Sequence, residues 1–234
     1  MQIKTTLIVL FLISPLQLIA QDQNLIWTLV KNDQANDIKI YYRTLKSGNI
    51  EFKGITYITS TLNSLIALFN DVDEMPNWVY RTEKVLILKE IGKNEVFVHT
   101  INTMPFPFKK RDAIIHSFIH QDPNNYTITI KGNSKPSYIP FVKEYVRIQK
   151  VESTWKFIPI EKSKIEVVFQ GYGEPGGNIP SSIYRSPIFR WLCKLFLWQL
   201  PYTTLKNMKT AIKNNKYKLV KFSYIQEPIR QKIE

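Results

Sequence analysis

The chain has 234 residues and a formal net charge of +13, from 32 Lys and Arg against 19 Asp and Glu. That length bounds it to one large domain or two small ones. One cysteine, Cys193, excludes an internal disulfide framework, and the positive balance points to anionic partners: acidic lipid surfaces, nucleic acid or other polyanions.

Residues 1–20, MQIKTTLIVLFLISPLQLIA, read as a secretory signal. Lys4 supplies the positive start, residues 5–13 an apolar stretch, Pro15 a break and Ala20 a small residue at the cleavage point. The apolar run falls short of the ~20 residues that a spanning helix needs. Cleavage leaves a mature chain from Gln21, and +13 less the one charge of Lys4 gives +12. The expectation is an exported protein, periplasmic or secreted, with lipid surfaces rather than nucleic acid as its anionic partner.

The mature chain contains no repeat, no low-complexity linker and no composition break that would divide it. Residues 21–30 are expected to form a short helix with Trp27 as a core anchor. Strands at 38–45 and 50–60 flank the turn Ser47-Gly48-Asn49. Leu62, Leu65, Ile66 and Phe69 recur at helical spacing, which predicts a helix over 61–70, with a second short one over 75–81. Strands follow at 84–91 and 95–102 around Gly92-Lys93-Asn94, then at 111–120, 126–131, 145–151, 155–160 and 164–172. Turn residues separate them, including Asp122-Pro123-Asn124, Gly132-Asn133-Ser134 and Glu152-Ser153. At 171–180, GYGEPGGNIP, two glycines give backbone freedom and Pro180 suits a helix's first turn. Beyond it Ile188, Trp191, Leu192, Leu195 and Phe196 mark one helical face, continued past Pro201 by Leu205, Met208 and Ile212. That pattern predicts one long, proline-kinked amphipathic helix.

Several landmarks fall in a telling order. Trp27 precedes the first strand pair, and Pro107-Phe108-Lys109-Lys110-Arg111-Asp112 opens a strand. Trp155 stands four residues before Pro159, and Glu174-Pro175-Gly176-Gly177-Asn178-Ile179-Pro180 opens the last helix. In this order and spacing they resemble the START family of lipid-binding domains over roughly residues 25–214. The resemblance implies an α+β helix-grip fold: a curved antiparallel sheet gripping a long C-terminal helix around an internal tunnel for one lipid. It sets the lipid-binding domain at 21–216, with 217–234 as a basic tail, and implies a monomer without metal or cofactor. The terminal helix would act as a lid, placing Ile188, Trp191, Leu192 and Leu195 on the tunnel. The loop before Arg111-Asp112 would be the other side of the gate. Its composition suits that role, because Phe106 and Phe108 can enter the headgroup boundary while Lys109 and Lys110 attract anionic lipid. A plain turn between two strands is the alternative, and Arg111 and Asp112 are read as supporting the loop rather than contacting ligand.

Strand side chains alternate between faces. On the next two strands the inward sets are Val96, Val98, Thr100 and Ala113, Ile115, Ser117. Some START members face an acidic residue with an arginine inside the tunnel. Counted without gaps from Arg111-Asp112, those positions are Thr100 and Ser117 here. The missing charged pair argues against a sterol and for a phospholipid or other acyl lipid. The alternative is that the two hydroxyls satisfy each other in a filled core.

Three other readings are weighed. His116 and His120 have the spacing of a metal pair on a helix, but on a strand they stand ~13 Å apart. His99, like them, is assigned to the outer face. Glu90, Glu95 and Glu166 read as isolated, solvated carboxylates, and no HExxH, GxSxG or Walker-type loop occurs. An enzyme of cyclase or hydrolase type remains the main alternative, favoured by any histidine or carboxylate found in the tunnel. A basic terminal segment rich in lysine, with Trp198 off the main apolar stripe of the last helix, suits an anionic membrane surface. A surface adaptor with a solid core and no cargo is the third reading.

Overall fold

Residues 38 to 59 form a hairpin. The strands β2 (Ile38–Thr44) and β3 (Ile50–Thr59) pair antiparallel from Ile38↔Thr56 to Thr44↔Ile50. Gly48 makes the turn between them at φ +84°, a left-handed angle that L side chains rarely adopt. This hairpin belongs to a computed structural model that describes residues 26–104, 106, 108–161, 163–174, 176–177 and 198–228.

The described strands number ten. Besides β2 and β3 they are β1 (Thr28–Asp33), β4 (Thr82–Ile91), β5 (Glu95–Asn102), β6 (Arg111–Gln121), β7 (Ile128–Ser134), β8 (Val146–Arg147), β9 (Val151–Glu161) and β10 (Lys164–Gly173). They lie in the order β1-β2-β3-β10-β9-β7-β6-β5-β4, every neighbouring pair antiparallel; off this path, the two-residue β8 runs parallel to β6. The crossing from β3 to the far edge strand β4 is made by α1 (Leu62–Asn70) and α2 (Met75–Trp78). Thr61 caps α1, its Oγ1 accepting from Ser64 N at 3.1 Å.

A third helix, α3 (Gln199–Ala211), lies on β2 and β3. Its seat depends on Gly54. A Cβ there would stand 2.6 Å from Leu205 Cδ1 and 3.3 Å from Pro201 Cβ, so only a residue without a side chain lets the helix this close. Leu205 and Met208 are fully buried against Ile38 and Ile40 of the hairpin and Leu62, Leu65 and Ile66 of α1 in one core. This is the α+β helix-grip arrangement, with the sheet wrapped about the terminal helix. Pro201 sits in the first turn of α3, where its missing N–H costs little. The expected helix face at Ile188, Trp191, Leu192, Leu195 and Phe196 lies outside the described residues, as do residues 1–25 and Cys193.

Four expectations require correction. The segment around Trp27 enters the edge strand β1, not a helix. The Trp27 ring is no core anchor: it lies under two cations, 4.5 Å from Arg43 Cζ and 4.3 Å from Lys53 Nζ. A short apolar run does not by itself separate helix from strand. The expected turns at Gly132-Asn133-Ser134 and Glu152-Ser153 are both strand, in β7 and β9, where Ser153 pairs with Gly132 on one side and Gly171 on the other. Small residues there serve close approach: a Cβ on Gly132 would stand 2.8 Å from Ser153 Oγ. The strand expected at 145–151 shrinks to Val146–Arg147.

The fourth correction concerns the basic tail. Residues 217–228 pack back onto α1, and Tyr217 and Ile225 are buried. The Glu227 carboxylate accepts from Leu62 N at 3.1 Å and from Asn63 N at 2.8 Å, at the positive end of α1. Phe222 N donates to Asn63 Oδ1 at 2.8 Å. The domain therefore runs through the expected boundary at 216.

Candidate functional site

Val96, Val98 and Thr100 stand on β5, an interior strand, yet none is fully buried. The surface they keep faces a cavity of about 510 Å³ between the inner face of the sheet and the helices. Ala113, Ile115 and Ser117 of β6 line the same wall, in register with the β5 residues: Thr100↔Ala113, Val98↔Ile115, Val96↔Ser117. The six residues placed inward by strand alternation thus meet on one wall of one hollow.

The floor is aromatic. Trp155 and Phe169 stack at 3.9 Å, and Phe69 and Trp78 meet Trp155 edge to face at 5.4 and 6.0 Å. All four line the cavity. The Trp78 indole N–H is buried with no acceptor among the described residues.

Thr100 and Ser117 do not satisfy each other. They are offset by four positions along β5 and β6, a strand distance of ~13 Å. Thr100 Oγ1 donates to Ala113 O at 3.3 Å and accepts from Asn102 Nδ2 at 3.3 Å. The Ser117 hydroxyl has no hydrogen-bond partner among the described residues.

Two arginines stand at the cavity: Arg111, expected to support the loop before β6 and bonded there from Nη1 to Lys109 O at 2.5 Å, and Arg81, which sequence reasoning missed. Arg111 opens β6 opposite Asn102 and faces inward, 5 % exposed; burial pushes its guanidinium pKa below the ordinary value. Arg81 follows α2 at φ +63°, an angle no periodicity announces. Its carbonyl is held by Thr103 N at 2.8 Å, and its guanidinium lies 5.1 Å from the Tyr80 ring.

Asp112 points to the other face. Its Oδ2 accepts from His99 Nε2 at 2.9 Å and from Arg147 Nε and NH2 at 3.0 and 2.8 Å. Arg147 spends its remaining donors on the carbonyls of Pro136, Ile139 and Pro140. This buried knot pins the segment before β8 to the outside of the sheet. His99 therefore lies on the face assigned to it, buried rather than exposed. His116 is held by Glu95, Nε2 to Oε1 at 2.6 Å, so Glu95 is not the isolated carboxylate expected. Glu90, Glu95 and Glu152 do reach the cavity wall, but none of the three is buried, and Glu152 accepts from Tyr172 OH at 2.7 Å. Among the described residues no three His, Cys, Asp or Glu side chains gather as a metal would require.

The loop between β5 and β6 borders the cavity through Thr103 and Met104. Phe106 is 96 % exposed and Phe108 54 %, while Lys110 is paired with Glu83 at 2.7 Å and Lys109 stays exposed. Trp198 is half-buried, edge to face with Tyr202 at 5.5 Å and under Lys31, which turns its ring toward β1. Ile188, Trp191, Leu192 and Leu195 lie outside the described residues.

The fold is that of StAR-related lipid transfer domains. A STAR-related lipid transfer protein from Xanthomonas axonopodis superposes with a TM-score of 0.69 at 24 % identity, covering 80 % of this chain and 99 % of that one. Human STARD10 superposes with a TM-score of 0.66 at 15 % identity, covering 80 % and 72 %. An uncharacterized protein of Pseudomonas aeruginosa is 28 % identical over 186 residues, 79 % of this chain and 86 % of that one. No protein-family model matches the chain.

Proposed function

We propose that this protein binds one acyl lipid in the cavity and carries or presents it at an anionic membrane surface, as an exported monomer. The observation that carries the reading is the hollow itself. A cavity of roughly 150 Å³ is enough to hold a benzene ring. At about 510 Å³ the space between sheet and helices is several times that size, and its middle is walled by Val98, Ile115 and the Trp155–Phe169 stack. Each methylene moved there from water contributes ~0.8 kcal/mol, so a chain of a dozen carbons binds without any specific hydrogen bond.

Docking rests on the β5–β6 loop. Two exposed phenylalanines and Lys109 stand in the loop whose Thr103 and Met104 line the cavity, a combination suited to an acidic bilayer surface. The leader pattern in residues 1–20 supports export. The experiment is transfer of a fluorescent phospholipid between vesicles. Wild-type protein speeds transfer, and Phe106→Asp with Phe108→Asp slows it without altering the thermal melt. Transfer unchanged in the double variant removes the loop from the mechanism; no transfer by wild type removes the carrier.

A further inference from the structure

The loop between β7 and β8, residues 135–145, is pinned at several points. Lys135 N donates to Ile114 O at 2.8 Å, and Arg147 donates to the carbonyls of Pro136, Ile139 and Pro140 at 2.6, 3.2 and 3.2 Å. The Tyr138 ring stacks on Phe97 at 4.2 Å. Arg147 is itself locked to Asp112, and both side chains are almost wholly buried. Burying an ion pair is costly in desolvation, and here the cation's spare donors all go to loop carbonyls. Val142 and Tyr145 turn partly inward, yet Phe141 is 68 % exposed, its ring 5.3 Å from Arg147 Cζ.

Topology sets this loop at the same end of the sheet as the loop between β5 and β6. β8 runs parallel to β6, Arg111↔Val146 and Asp112↔Arg147, so the segments leading into the two strands leave the sheet together. Val146 N stitches them by donating to Lys110 O at 3.0 Å. Phe106 stands five residues before Arg111, and Phe141 five before Val146. That end therefore carries three exposed phenylalanines, Phe106, Phe108 and Phe141. Exposed rings scattered singly are ordinary, but three at one end of a sheet are not scattered. Lys109, Lys135 and Lys143 are exposed and form no ion pair among the described residues. Lys110 pairs with Glu83, and Glu144 is the exposed carboxylate of the 135–145 segment.

We propose that residues 135–145 are a second docking element, which seats Phe141 in the headgroup boundary of an anionic bilayer alongside Phe106 and Phe108. The proposal deepens the lipid-carrier reading and rests on it. Rings flanked by lysines suit the boundary between acyl chains and acidic headgroups. Lys109, Lys135 and Lys143 against the lone carboxylate of Glu144 leave the two loops positive, which favours an acidic surface over a neutral one. A loop already fixed by Arg147 loses little freedom when its ring enters the membrane, so little of the insertion energy goes into ordering. Two loops tied to neighbouring strands also fix the tilt of the protein on the bilayer, and the first of them carries Thr103 and Met104 of the cavity wall.

The test uses the full protein and vesicles of phosphatidylcholine with a fixed minority of phosphatidylglycerol. Wild type floats with these vesicles and poorly with phosphatidylcholine alone. Phe141→Ser binds them about tenfold more weakly, the effect of ~1.4 kcal/mol. Phe141→Trp keeps binding, and phosphatidylcholine brominated on its acyl chains quenches its emission more than that of wild type. Undiminished binding by Phe141→Ser, no added quenching while Phe141→Trp floats, or equal flotation of wild type with phosphatidylcholine alone overturns the second docking element; transfer of the fluorescent phospholipid by the same protein then leaves the carrier standing. Wild type that neither floats nor transfers lipid overturns both. If Phe141→Ser melts well below wild type because the ring covers Arg147, the quenching of Phe141→Trp decides alone. A wild-type dimer that Phe141→Ser dissolves, seen by sedimentation without vesicles, assigns the ring to a second copy of the chain and overturns the bilayer.

Discussion

Replacing Val98 by phenylalanine should weaken lipid binding and tighten the fold at once. Val98 sits mid-wall, between Ile87 on β4 and Ile115 on β6, and the surface it leaves uncovered faces the hollow. The substitution adds four carbons to a side chain that points into empty space. If they displace about four methylenes of the guest at ~0.8 kcal/mol each, binding loses ~3 kcal/mol, on the order of 200-fold in affinity. The ligand-free protein moves the other way, since filling a cavity commonly stabilises by ~0.5–2 kcal/mol. Affinity is read by titrating a pyrene-labelled phospholipid into delipidated protein, and stability by urea unfolding of the same sample. Affinity within about twofold of wild type, with a fold at least as stable, would refute the placement of the guest against β5.

Two further outcomes follow from buried polar contacts. Asp112→Asn removes the charge that Arg147 and His99 share while leaving the guanidinium buried, so urea unfolding should show a loss of ~3–5 kcal/mol; a loss near zero would mean the knot carries no weight. Glu227→Ala strips the carboxylate from the first turn of α1 and should cost ~1 kcal/mol in the same assay, whereas a free tail would cost nothing.

Strand periodicity made much of this molecule legible. Val96, Val98 and Thr100, and Ala113, Ile115 and Ser117, were separable from their outward neighbours by parity alone, because β5 and β6 pair without a register shift and their faces alternate throughout. The hairpin at Gly48 and the helix over 61–70 were equally plain, the first announced by its turn residues and the second by the spacing of Leu62, Leu65, Ile66 and Phe69. Arg81 was not, since a single left-handed residue after a short helix has no pattern to betray it. Trp27 misled for a related reason: a large ring reads as core unless the cations that cover it, Arg43 and Lys53, are known to stand on neighbouring strands. The return of residues 217–228 onto α1 was hidden because a lysine-rich composition conceals the few residues that dock it, Tyr217, Ile225 and Glu227. Long-range partners of this kind are set by tertiary contacts that the local sequence does not encode.

The hollow between sheet and helices is the claim on which the rest depends, and native mass spectrometry of protein purified without detergent tests it most directly. The account predicts a mass increment of one acyl lipid per chain, released on organic extraction. Bare protein that also accepts no lipid when offered vesicles would contradict it.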